Sequence, residues 1–122
     1  MERKYYFFIA IFLTLIIGWG SLATIGDSMP STINISDKAI HIFAYFLLTL
    51  SWLFSYKKES KKLKVSIIIL VIVFSYGIII EVLQGTVTEN RQPEAYDLLA
   101  NFTGIILALT VFKSVLQKKL RN

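Results

Sequence analysis

Three sets of polar residues stand at helical spacing inside an otherwise apolar chain. Asp37, His41 and Tyr45 recur at intervals of four, as do Gly77 and Glu81, with Gln84 three further on. Asp97, Asn101, Gly104 and Ala108 follow at four, three and four. On a helix each set lies along one face. Their chemistry is that of a general acid or base, or a ligand, at His41, poised by Asp37 one turn away. Glu81 or Asp97 would be its carboxylate partner. Arg91 could clamp a phosphate or carboxylate, or pair internally with Asp97 and hold its loop, and the internal pair is the expected resting state. Each residue also has a structural reading. His41 can be bonded across a helix bundle, Glu81 and Gln84 can fasten neighbouring helices through Asn101, and Ser36 or Asp37 can cap a helix. His41, Glu81 and Asp97 are the catalytic candidates. A metal site is not expected, because the chain has one histidine, no cysteine and no HExxH motif. No cofactor is implied either, since neither a glycine-rich phosphate loop nor a nucleophile elbow is present.

The elements that carry these residues are legible from composition. Of 122 residues, 55% are hydrophobic and only 17% charged, and mean hydropathy is +0.62. A soluble domain carries about a quarter charged residues, with periodic interruption of its apolar positions. Here the apolar residues come in blocks, long enough for the ~20-residue spans that a bilayer requires. The expectation is an all-α, four-helix transmembrane bundle forming a single domain over residues 1–122. Its helices are placed at about 5–25, 37–56, 64–84 and 93–113, with Pro93 in the first turn of the last. Met1 to Lys4 and Ser21-Leu22-Ala23 imitate a signal peptide, but the first apolar block exceeds the ~7–15 residues of such a core. An uncleaved helix is expected.

All but two of the 13 lysines and arginines lie before the first span, in KKESKKLK between the second and third, or after the fourth. By the positive-inside rule this predicts both termini inside, with two short outer loops at residues 26–39 and 84–96. The net charge of +5 is therefore a topology signal, and no nucleic-acid partner is expected. Lys38 is expected to snorkel to headgroups, and Trp19 and Trp52 to anchor at the interfaces. Ala10, Thr14, Gly18 and Ser21 form a small-residue stripe suited to close helix contact. With this topology the three polar stripes share one depth at the outer leaflet, and ionisable groups there avoid lipid by meeting one another. The predicted pocket is lined by Asp37, Lys38, His41, Tyr45, Glu81, Gln84, Arg91, Asp97 and Asn101.

The pattern Asp37-Lys38-x-x-His41-x-x-x-Tyr45, Glu81-x-x-Gln84, then Arg91 ahead of Asp97-x-x-x-Asn101-x-x-Gly104 resembles the VanZ-like family. These are small bacterial membrane proteins named for an accessory protein of glycopeptide resistance. The likeness spans residues 37–108, with Asn90 and Ala108 where many members carry glycine. It implies a bacterial cytoplasmic membrane protein associated with lowered sensitivity to teicoplanin-type drugs. Three readings follow. The pocket binds a lipid-linked cell-wall precursor, a lipid headgroup or a glycopeptide. Or a His/carboxylate pair acts on a lipid-linked substrate. Or the polar residues only lock the bundle. Membrane lipids are partners in each case, and a homo-oligomer is compatible with all three.

Overall fold

A computed structural model describes residues 3–23, 34–87 and 95–121, with side chains described for residues 3–21, 38–83 and 96–116. It comprises α1 (Arg3–Ala23), α2 (Asn34–Ser55), a single 3-10 turn (Glu59–Lys61), α3 (Leu63–Val87) and α4 (Ala95–Arg121). All four helices are long and apolar enough to cross a membrane. Even α1, with 21 residues, reaches about 30 Å at 1.5 Å per residue, the thickness of the hydrocarbon core. The architecture is the all-α four-span bundle expected from the apolar blocks.

The helix ends differ from the sequence reading. Because α2 begins at Asn34, Ser36 and Asp37 stand in its first turn rather than at its cap. At the other extreme, α4 continues through the lysine-rich tail to Arg121. Buried Phe112 and Leu116 explain that extension, since both pack with Leu53 in a core cluster below the polar stripes.

One end of the bundle is basic. Arg3 pairs with Glu59 at 3.7 Å, Tyr6 stacks on Phe54, and Lys113 Nζ donates to Ser60 O at 3.2 Å. These contacts bring the start of α1, the α2–α3 turn and the last third of α4 together. Ser66 Oγ closes the turn by donating to Ser60 O (2.6 Å). Thus part of the lysine-rich segment that reads as a topology signal also accepts a structural bond.

The most extensive interface joins α2 and α4, which run parallel, side by side. Gly104 permits it. A Cβ there would strike the Ile42 carbonyl oxygen and stand 3.0 Å from Phe46 N. Ala108, one turn on, is fully buried. The small-residue stripe of α1 serves the same purpose on the other side, with Ala10 fully buried. Trp52 Nε1 donates to Thr14 Oγ1 (3.1 Å), and Tyr76 OH donates to the Thr14 carbonyl. Trp52 is therefore turned into the bundle and is not the lipid-facing anchor expected of it, whereas Trp19 is 71% exposed. Tyr76→Phe removes one net hydrogen bond between α3 and α1. The expected cost is about 1 kcal/mol, read as a lower melting temperature in detergent.

Large apolar side chains such as Phe8, Phe12, Phe43, Ile72 and Leu99 point outward. In water that surface would be a liability, but against lipid it needs no cover. Thr103 and Thr110, exposed on the same surface, donate their hydroxyls to Leu99 O and Ile106 O. Neither of these hydroxyls is then left to hydrocarbon.

Candidate functional site

The polar stripes of α2, α3 and α4 converge at the end of the bundle opposite the basic one. Asp97 stands in the first turn of α4, where the helix dipole favours a negative charge, yet it is only 1% exposed. Lys38 Nζ reaches it from the first turns of α2 and donates to Oδ1. A lysine expected to snorkel outward thus lies along the helix interface, with its side chain 26% exposed. The cation described on Asp97 is Lys38. The Arg91 expected to pair with Asp97 lies outside the described residues.

One turn deeper, His41 Nδ1 donates to Asn101 Oδ1 at 3.0 Å. With Asn101 presenting its oxygen, a neutral imidazole carries its proton on Nδ1 and its lone pair on Nε2. Asn101 is 2% exposed. Its Nδ2 lies 3.0 Å from the position a Cβ on Gly77 would take, and Tyr45 Cε2 lies 3.2 Å from the same point. Gly77 is therefore the notch in α3 that admits the asparagine amide and the Tyr45 ring together. Glu81, one turn beyond Gly77, is 3% exposed and within electrostatic reach of Tyr45.

Six of the nine expected pocket residues can be placed. Lys38, His41, Asp97 and Asn101 form two cross-helix pairs between α2 and α4. Tyr45 and Glu81 are buried beside them. Asn101 is fastened to His41. Asp37 and Gln84 lie on α2 and α3 with side chains outside the described set. Among the described residues, no three His, Asp or Glu side chains gather as metal ligands would. Sequence reasoning missed the tyrosine of α3. Tyr76 sits in a run free of charged residues, and the only signal was its hydroxyl, which needs a partner at that depth.

Asp97 has a further property that no described neighbour accounts for. Its Oδ2 is buried and has no hydrogen-bond partner among the described residues. A buried, unsatisfied carboxylate oxygen costs free energy, and native proteins keep few of them. Beside it stand a lysine ammonium and an imidazole. The arrangement presents an acceptor and a cation at one helix end, suited to a ligand that carries both donors and negative charge.

No curated protein and no solved structure matches the chain. The VanZ/LLP1 family model matches residues 6–117, nearly the whole length. With four membrane-spanning helices and a polar cluster built from the expected stripes, this multi-pass membrane protein belongs to the VanZ/LLP1 family.

Proposed function

We propose that the polar end of the bundle faces the outer leaflet of the bacterial cytoplasmic membrane and binds a cell-envelope ligand there, lowering sensitivity to glycopeptide antibiotics. The orientation rests on the positive-inside rule. The basic end gathers the N-terminal segment, the α2–α3 turn and the end of α4, so both termini are cytoplasmic.

The observation that carries the binding reading is the unpartnered Oδ2 of Asp97 beside Lys38. A ligand hydroxyl, amide or ammonium donates to Oδ2, while the Lys38 ammonium meets a phosphate or carboxylate. A sugar-bearing lipid-linked wall precursor has both groups, as does a zwitterionic lipid headgroup. A glycopeptide offers amide and sugar donors with less negative charge, and fits less well. The enzyme reading needs His41 beside a carboxylate, and its expected partner Asp37 has a side chain outside the described set.

The test is a panel of Asp97→Asn, His41→Ala, Glu81→Gln and Arg91→Ala, scored for membrane abundance and for teicoplanin sensitivity. Normal abundance with lost protection is the expected result. Abundance falling in step with protection would replace the binding site by a purely structural lock. Turnover of a lipid-linked precursor by purified protein, lost in His41→Ala, would instead make the site catalytic.

A further inference from the structure

A second recess lies toward the opposite end of the bundle, between α1, α2 and α3. It is a half-open cleft of about 290 Å³, with Thr14, Leu48, Trp52, Ile69, Val73 and Tyr76 among its lining residues. Ile72, 62% exposed, stands at its rim, and Tyr56 at its basic end. Along α2 it extends from Leu48 to Tyr56, roughly 12 Å.

The cleft does not suit water. A buried water needs two to four polar partners, and away from Tyr56 at the basic end the polar groups here are already committed. The Thr14 hydroxyl donates to Ala10 O and accepts from Trp52 Nε1, while Tyr76 OH donates to Thr14 O. What remains is a dry apolar channel opening sideways, in helices long enough to cross a membrane. Its volume is near the lower bound of ligand pockets, about 300 Å³, room for a stretch of one hydrocarbon chain but not for a whole lipid.

The end at which this channel meets the interface is strongly basic. The Arg3 guanidinium lies 4.9 Å from the centroid of the Tyr56 ring. Lys58, Lys61, Lys62 and Lys64 are exposed on the adjoining turn, against Glu59 as the one acidic side chain described there. Each lysine or arginine near the surface adds about 1 kcal/mol of attraction to anionic lipid. Apolar channel and cationic collar are thus set end to end, as a lipid's chain and phosphate are.

We propose that the cleft between α1, α2 and α3 holds one acyl chain of an anionic phospholipid from the leaflet at the basic end, with its phosphate against Arg3 and the lysines of the α2–α3 turn. This site is separate from the polar end and does not depend on the function assigned to it.

Trp52 lines the cleft and serves as the reporter. Trp19 is replaced by phenylalanine, a mild change at a lipid-facing position, leaving Trp52 as the only tryptophan. The protein is reconstituted in phosphatidylcholine vesicles containing a minor fraction of phosphatidylglycerol with brominated chains, or the same fraction of brominated phosphatidylcholine. Brominated phosphatidylglycerol should quench Trp52 at least twofold more than brominated phosphatidylcholine. Arg3→Gln combined with Lys61→Gln and Lys62→Gln should abolish that difference, and Val73→Phe should reduce quenching by both lipids. Should Val73→Phe fail to fold, Ile72→Phe narrows the mouth from an exposed position. Equal quenching by the two lipids, unchanged by either filling substitution, overturns the proposal in favour of ordinary annular lipid. Absence of quenching also overturns it, and cross-linking of that sample to a dimer identifies a second copy as the occupant. Arg3, Lys61, Lys62 and Ile72 belong to none of the polar-end pairs, and only Val73 shares a core cluster with Tyr45, so the Ile72→Phe and basic-residue arms leave the ligand reading standing or falling on its own test.

Discussion

Lys38→Met is expected to destabilise the bundle by about 3–5 kcal/mol, the typical loss when one partner of a buried ion pair is removed. Asp97 is 1% exposed and its bonded cation is Lys38. With methionine at position 38, an ionised Asp97 would lose the cation described for it inside a helix interface, while its Oδ2 has no partner among the described residues. The double substitution Lys38→Met/Asp97→Leu should recover most of the loss. Replacing a buried pair by apolar groups of similar volume is often neutral or stabilising. Unfolding of the purified protein in mixed micelles, across the two single variants and the double, provides the measurement. Additive losses would show that the pair contributes no coupling and that Lys38 acts through headgroups, as the sequence reading had it. The same cycle separates stability from ligand binding. A stable double variant that still fails to protect against teicoplanin would place the pair's importance in recognition.

Gly104→Ala is the second large effect. The added Cβ meets backbone, the Ile42 carbonyl and Phe46 N, rather than a side chain that can rotate away. Overpacking of this kind typically costs 1–3 kcal/mol, and about 3 kcal/mol is expected here because α2 and α4 must separate along their main interface. That separation also lengthens the His41–Asn101 and Lys38–Asp97 bonds on the same two helices, so protection against drug should fall with stability. Gly20→Ala is the control. Nothing lies within 4 Å of a Cβ at that position, and alanine is the better helix former by about 0.5–1 kcal/mol. Equal melting temperatures for the Gly104 and Gly20 variants would refute the close-approach argument.

These expectations show where sequence sufficed and where it did not. The four spans, the polar end and the basic end follow from partition of side chains between lipid and water, which acts on each residue type wherever its neighbours lie. Asp97, Asn101, Gly104 and Ala108 could be assigned to one inward face because each is small or polar within a lipid-facing helix. The partner of each polar group was not fixed in that way. Lys38 was assigned to headgroups by charge and depth, and nothing local to it pointed to Asp97. That pairing follows from α2 and α4 lying parallel and in contact, and that depends on a glycine meeting a backbone carbonyl.

Helix α3 shows the same limit from the other side. It is apolar nearly all round, so no polarity contrast marks which face enters the bundle. Gly77 as a notch for Asn101 and Tyr45, Tyr76 as a donor to α1, and Trp52 turned inward were all decided by packing. The sequence by itself determined which segments cross the membrane and at what depth the polar groups meet, because both depend on transfer free energies of individual residues. Tertiary structure alone decided which groups are paired, which carboxylate oxygen is left open and where an apolar cleft remains, because those depend on distances between helices that no local property specifies.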